Sequence, residues 1–134
     1  MEERELIRAV LAAFRGSTGL PASVARHLGR AAEIDAIVTV AGRALAVEVK
    51  RNVDRLEVVP TAKTQLDRAR VHYRLEGGLL VTEYLSLNIL DACRLHGLYA
   101  ADLSGNAFVE WDGLLVFVAG RPRHRVQRDR KSVV

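Results

Sequence analysis

The chain of 134 residues has little of what disulfide-rich, membrane or zinc proteins need. A single cysteine, Cys93, excludes an internal disulfide and is typical of a reducing cytoplasm. No apolar run approaches the ~20 residues of a membrane span, and the acidic start Met1-Glu2-Glu3-Arg4-Glu5 is unlike a signal peptide. The histidines stand alone, without a second histidine or cysteine at metal-ligand spacing. We therefore expect a cytoplasmic protein that makes no membrane contact.

Internal repeats, low-complexity segments and a phosphate loop are also absent. Gly16-Ser17-Thr18-Gly19 resembles such a loop only superficially, because no Gly-Lys-Ser/Thr follows it. Hydrophobic residues make up 49% of the chain and charged residues 27%, which is ordinary for a folded soluble protein. We predict one domain over residues 1–120.

The net charge of +4 is unevenly distributed along the chain. Residues 121–134 hold six basic side chains and one acid, which leaves 14 basic and 15 acidic side chains in residues 1–120. A basic segment of this kind favours binding to phosphates, because neutralising them releases counterions. It is equally typical of a solvated flexible tail or of the start of a further domain. We predict a basic, flexible tail that contacts nucleic acid.

Two apolar segments, Ile34–Val40 and Ala44–Val49, predict a β-hairpin around Ala41-Gly42. A two-residue loop places Val40 opposite Arg43 and Asp35 opposite Glu48. Continuing the pairing places Glu33 opposite Lys50.

Because strand side chains alternate, Glu33, Asp35, Glu48 and Lys50 are then expected on one face of the sheet. Carboxylates directly opposite each other repel, and a divalent cation between them removes the repulsion. In the simpler interpretation, Glu33 and Lys50 form an exposed ion pair worth ~0.5 kcal/mol, and Asp35 and Glu48 face solvent. That interpretation does not explain an acid inside so apolar a strand.

The arrangement Glu33-Ile34-Asp35, twelve residues, then Val47-Glu48-Val49-Lys50 resembles the PD-(D/E)XK nuclease superfamily, in particular its Holliday-junction-resolvase and RecB-like members. The proline of the superfamily's name is absent before Asp35. The resemblance implies an α/β fold with a restriction-endonuclease-like αβββαβ core, a mixed central sheet flanked by helices. It implies Mg²⁺ or Mn²⁺ bound by Asp35, Glu48 and the Val49 carbonyl, with Lys50 as the catalytic lysine.

The same resemblance extends to the helices. RecB-like nucleases carry a glutamine on the helix after the metal-binding strand, and Gln65 is similar in position. Members often add a carboxylate from the first helix, which would be Glu3 or its neighbour Glu2. Glu33 is a further candidate acid. Many such domains cut two strands as dimers, so the resemblance is compatible with a homodimer that acts on structure-specific or non-specific DNA.

Periodicity and turn signals predict the other elements. They are helices over Glu2–Arg15, Pro60–Tyr73 and Ser86–His96, ended by Gly16, Gly77-Gly78 and Gly97 respectively; strands over Val24–Leu28, Leu79–Thr82 and Leu98–Asp102; and an extra C-terminal hairpin of Phe108–Trp111 and Leu114–Val118 around Asp112-Gly113. Basic side chains along the middle helix and the tail suit a DNA backbone. The candidate contacts are Arg51, Lys63, Arg68, Arg121, Arg123 and Arg125.

The segment from Asp102 to Ala107, Asp-Leu-Ser-Gly-Asn-Ala, faintly resembles a stretch in AbiEi-like antitoxins. Its chemistry predicts a tight turn that Asp102 or Asn106 caps. We therefore expect a Mg²⁺-dependent deoxyribonuclease, with two alternatives. One is a non-cleaving, antitoxin-like DNA-binding module, and the other is a protein-interaction domain in which the carboxylate pair is incidental.

Overall fold

The computed structural model describes residues 1–29 and 31–123, so the predicted contact residue Arg125 lies outside the described residues. Within these residues, three helices and seven strands follow one another. In order they are α1 (Glu3–Thr18), β1 (Ala22–His27), β2 (Ala36–Val40), β3 (Arg43–Val49), α2 (Val58–Tyr73), β4 (Gly77–Val81), α3 (Leu87–His96), β5 (Tyr99–Ala101), β6 (Ala107–Trp111) and β7 (Leu114–Val118).

All seven strands form one mixed sheet whose spatial order, β1 to β7, is the order of the chain. Strand β4 runs parallel to β3 and to β5, and the other neighbouring pairs are antiparallel. The predicted mixed sheet with flanking helices and a C-terminal hairpin is therefore confirmed.

Helices cover both faces of the sheet. The apolar stripe of α1, which includes Leu6, Val10 and Phe14, packs with Val38 and Val47 on one face. On the other face, α2 and α3 bury their apolar side chains against Ala46, Leu80, Ala100 and Phe108. The two faces of β3 thus enter different cores, because neighbouring side chains alternate.

The turn between β2 and β3 is the predicted two-residue loop. Ala41 and Gly42 both have positive φ, 47° and 84°, which matches the twist of tight hairpins. Val40 pairs with Arg43, and the ladder continues to Ala36 opposite Val47. The predicted register is confirmed over this length.

The predicted continuation of this ladder to Glu33 and Lys50 is wrong. Residues 31–35 form turns and bends instead of strand, and Glu33 is exposed. The ladder ends at Ala36 opposite Val47, and the next N–H that faces β2, that of Val49, donates to the Asp35 side chain instead of to a backbone carbonyl.

One helix end and one helix cap differ from the sequence prediction, and the predicted end of α2 at Tyr73 is confirmed. Helix α1 continues through Gly16 to Thr18, and Gly19 at φ 75° caps it. Helix α2 ends at Tyr73, with Arg74 in the left-handed conformation as its cap. Gly77 and Gly78 therefore belong to β4 and do not end the helix.

A close approach explains the glycine at position 78. A Cβ there would lie 2.5 Å from Cβ of Leu66, so only glycine lets α2 pack this tightly on the sheet. Gln65 is the neighbour of Leu66 in the chain. The close packing of α2 on the sheet therefore also fixes the distance between Gln65 and β3.

Candidate active site

Asp35 lies where the β2–β3 ladder ends, and its side chain replaces a backbone partner there. Its N–H donates to the Val47 carbonyl at 2.8 Å, and its Oδ2 accepts a hydrogen bond from the Val49 N–H at 2.8 Å. The carboxylate therefore takes the place of the next backbone partner on β2. This contact fixes Asp35 beside the last residues of β3, across from Glu48.

Glu48 is an acid with a raised pKa at this end of the sheet. Its side chain is 18% exposed, and Lys50 Nζ lies 3.5 Å from its Oε2. Burial raises the pKa of Glu48; the charge and hydrogen bond of Lys50 oppose that rise, and the neighbouring Asp35 adds to it. Two carboxylates and one ammonium thus share a partly desolvated site.

Gln65 reaches this site from α2. With its amide nitrogen turned towards Glu48, the nitrogen lies 3.0 Å from both carboxylate oxygens. This orientation follows from the hydrogen-bonding requirement, since a carboxylate only accepts. The structure therefore brings together four of the predicted residues: Asp35, Glu48, Lys50 and Gln65.

The two additional acids do not join them. Among the described residues, no group of three or more aspartate, glutamate, histidine or cysteine side chains is placed to hold a metal ion. Glu33 lies in the exposed bend, and Glu3 begins α1 on the opposite side of the sheet. What remains is a pair of carboxylates.

A two-carboxylate site has a specific chemical preference. Mg²⁺ keeps several waters and is usually held by one or two carboxylates together with substrate phosphates, whereas Ca²⁺ takes more protein oxygens. Asp35 keeps one carboxylate oxygen beyond its bond to Val49, and Glu48 offers two. The donor set therefore fits Mg²⁺ or Mn²⁺.

Arg51 follows this site directly. Its guanidinium lies 3.5 Å from Glu83 Oε2 and donates to the Met1 carbonyl, which links the start of α1 to the ends of β3 and β4. Its side chain stays 38% exposed. Its charge is thus paired with Glu83, and it lies one residue beyond Lys50 in the chain.

An open cleft of about 350 Å³ adjoins Arg51. Tyr84 and Arg123 form its far side, with the Arg123 guanidinium 4.7 Å from the centre of the Tyr84 ring. Cations that stack on aromatic rings also stack with bases and pair with phosphates. Asp54 also lines this cleft, so the charges of its two arginines are partly balanced by an acid.

The other predicted basic contacts differ in their surroundings. Lys63 pairs with Asp67 at 3.1 Å, which neutralises it, whereas Arg68 is exposed on the outer side of α2. The Arg121 backbone, rather than its side chain, is held in place: its N–H donates to Asn106 Oδ1 at 2.9 Å. Its side chain remains exposed.

The Asp102 turn is more extensive than a simple cap. Asp102 is fully buried and accepts hydrogen bonds from the N–H groups of Leu85, Ser104 and Asn106 and from the Asn106 side chain, at 2.7 to 2.9 Å. The prediction that Asp102 or Asn106 caps this turn is confirmed. Sequence reasoning missed the link to Leu85, because the two residues meet only when β4 and β5 lie side by side.

Comparisons with family models, curated proteins and solved structures give no match to this chain. In the part of the chain that the structure describes, no helix has the length and apolar character needed to cross a membrane. The function must therefore be argued from the geometry of the site.

Proposed function

We propose that this protein is a metal-dependent nuclease that hydrolyses phosphodiester bonds in DNA. The observation that carries the proposal is the convergence of Asp35, Glu48, Lys50 and Gln65 at the end of β3. The order α1-β1-β2-β3-α2-β4 supports a restriction-endonuclease-like core, since it repeats the αβββαβ order that the sequence resemblance implies.

Asp35, Glu48 and the Val49 carbonyl would hold the Mg²⁺ or Mn²⁺ ion. When bound, the ion would neutralise phosphate charge and lower the pKa of an attacking water. The raised pKa of Glu48 supports this assignment, because burial and the Asp35 charge destabilise its ionised form, and a bound cation would stabilise that form. The Lys50 ammonium at 3.5 Å offsets only part of this destabilisation.

Lys50 and Gln65 have different tasks in this proposal. The Lys50 side chain is 38% exposed, so its ammonium can turn from Glu48 towards a bound phosphate, where it orients water and stabilises negative charge. Gln65 donates to Glu48 and holds that carboxylate in one orientation. We infer that Gln65 acts as a positioning residue.

The surroundings of the site support a nucleic acid as substrate. The cleft beside Arg51 opens from the end of β3, and Arg123 and Tyr84 line it. Arginine pairs with phosphate through parallel N–H donors, and such contacts position a backbone without reading its sequence. A DNA strand bound along this cleft would pass Arg51, the residue that follows Lys50 in the chain.

The test is cleavage of labelled branched, single-stranded and duplex DNA in the presence of Mg²⁺ or Mn²⁺. We expect cleavage by the wild type and a loss of at least about 100-fold in Asp35→Asn and Lys50→Ala, in line with the weight of electrostatic groups at active sites. DNA binding, measured by fluorescence anisotropy, should persist in both variants.

The matched control is Glu76→Gln against Glu48→Gln. Glu76 is also an acid paired with a basic side chain, Arg43 at 3.5 Å, but it lies at the other end of β4. Cleavage should survive the first change and be lost in the second. Metal-independent DNA binding without cleavage would reject the nuclease and favour a non-cleaving DNA-binding module.

A further inference from the structure

A second basic cleft lies between α1 and the edge strand β1. It has a volume of about 470 Å³, within the range of about 300–1,000 Å³ that small-molecule sites occupy. His27, which lines it, pairs with Ala36, whose side chain belongs to the core under α1. The cleft is therefore on the opposite face of the sheet from Glu48, which contacts α2.

Three arginines line this cleft, and no acid does. Arg8 and Arg15 come from α1, and Arg26 comes from β1. Within residues 1–29 and 31–123, none of the three forms a salt bridge with a carboxylate. Arg15 is anchored by a 2.6 Å hydrogen bond from Nη1 to the Ala22 carbonyl, which fixes its guanidinium at the wall. Arg26 pairs with Ile37, whose side chain packs in the core under α2, so the Arg26 side chain leaves β1 on the other face. Arg8 and Arg15 are therefore the cations that face the cleft, and without a counter-charge they favour a bound anion.

A β-bulge helps to build the cleft. The pairing of β1 with β2 shifts between Val24 and Arg26, so Ala25 is an extra residue in the edge strand. Bulges re-aim side chains and are frequent beside functional sites. Here the extra residue shifts the alternation of side chains, so that His27 instead of Arg26 lies on the α1 face beside the cleft.

His27 supplies an independent observation. Both of its ring nitrogens are shielded from solvent and have no hydrogen-bond partner among the described residues. Buried polar atoms are almost always paired, so an orphaned pair indicates a missing partner such as an ion or water. Burial lowers the pKa of His27, and the charges of Arg4 and Arg8 lower it further. Such a lowered pKa is expected where positive charges surround a histidine and no anion balances them.

We propose that this cleft binds a phosphate group, carried by a nucleotide or by a nucleic-acid strand, through Arg8 and Arg15 beside His27. Phosphate matches the donor geometry of arginine, because its oxygens accept from several planar forks at once. The apolar wall of Leu11 and Val24 offers a surface for the attached nucleoside. This site is separate from the carboxylate pair, and the inference does not rest on the proposed nuclease activity.

The experiment titrates the full chain with inorganic phosphate, thymidine monophosphate and an oligothymidylate of eight nucleotides at constant ionic strength. The readout is the His27 ring in ¹H–¹⁵N NMR spectra, with affinity from calorimetry. We expect the His27 signals to shift and its pKa to rise on binding, because the anion offsets the arginine charges. Thymidine monophosphate binding as tightly as the oligomer would identify a nucleotide site, and a much tighter oligomer would identify a strand site.

The decisive variant is Arg8→Gln combined with Arg15→Gln, which keeps polarity and most of the side-chain length. We expect its affinity at the His27 site to fall at least about tenfold, since hydrogen bonds to charged groups are stronger than neutral ones. The control is Arg94→Gln, an exposed arginine on α3 that pairs with Asp91 at 3.0 Å. Circular dichroism confirms that both variants fold.

Two results would overturn the inference. One is the absence of any His27 response to all three probes, and the other is equal affinity in the double variant and the wild type. Asp35→Asn separates the two proposals, because it should abolish cleavage while leaving the His27 response intact. Loss of cleavage with a preserved His27 response therefore bears on the carboxylate site alone.

Discussion

The turn that Asp102 organises gives the sharpest stability prediction. Replacing Asp102 by alanine removes the acceptor of four hydrogen bonds at a position with 0% exposure. The Asn106 side chain keeps a second acceptor, the Arg121 carbonyl at 3.2 Å. The N–H groups of Leu85 and Asn106 have no such alternative, and both bonds are buried.

The expected cost follows from these two orphaned donors. A buried donor without a partner costs about 1–3 kcal/mol, so Asp102→Ala should lower the free energy of unfolding by about 3–5 kcal/mol. For a domain of ordinary stability, about 5–15 kcal/mol, this is a large fraction. Asp102→Asn keeps the shape but turns one amide group towards N–H donors, so its cost should be intermediate.

Urea unfolding followed by circular dichroism measures the difference, and thermal unfolding should show a midpoint lowered by about 10–20 °C. The control is Asp91→Ala, which removes an exposed acid paired with Arg94 and should cost less than about 1 kcal/mol. A loss below about 1 kcal/mol for Asp102→Ala would refute the reasoning. It would mean that water replaces the carboxylate at no cost.

Three further predictions concern the carboxylate site and its support. Because the pKa of Glu48 is raised, the native state binds more protons than the unfolded state just above the ordinary glutamate pKa, and the free energy of unfolding falls as pH rises through that window. In urea unfolding, Glu48→Gln should therefore gain stability relative to the wild type as pH rises above the ordinary glutamate pKa. Gly78→Ala should destabilise the fold by about 1–3 kcal/mol in the same assay, because the added Cβ meets Leu66 at 2.5 Å. Mn²⁺ at a hundredfold excess over its dissociation constant should stabilise the wild type by about 2.7 kcal/mol in thermal unfolding, and Asp35→Asn should lose this effect.

Each of these predictions has an outcome that contradicts it. A pH dependence that is the same with and without Glu48 would show that its carboxyl is not perturbed. Gly16→Ala is the control for Gly78→Ala: nothing lies within 4 Å of its Cβ position in the helix, so it should stabilise by up to ~1 kcal/mol. Equal Mn²⁺ stabilisation of the wild type and Asp35→Asn would place the ion elsewhere.

Local signals predicted the hairpins and α3 correctly. Asp112-Gly113 and Ala41-Gly42 form the expected tight turns, and Ser86 and Gly97 cap α3 at its two ends. In each case, the determining interactions lie within a few residues of one another. The predicted pairing of Asp35 with Glu48 lies beyond the observed ladder, and Asp35 is held at the end of β3 by its side-chain bond to the Val49 N–H.

The structure differs from the sequence predictions where contacts between residues far apart in the chain determine the conformation. Gly77 and Gly78 signal a helix end when read locally, but in the fold they let β4 lie beneath Leu66 and Tyr99. The arginine cleft was not predicted either, because it requires the bulge at Ala25 and the placement of β1 against α1. Neither the bulge nor the docking leaves a periodic pattern in the sequence.

The sheet is arranged so that every strand lies beside its predecessor in the chain. During synthesis on the ribosome, each emerging strand consequently finds its neighbour already made, and no segment has to insert between two formed strands. Assembly from β1 towards β7 needs no long-distance search, which favours rapid folding and leaves only one growing edge open to aggregation at any moment.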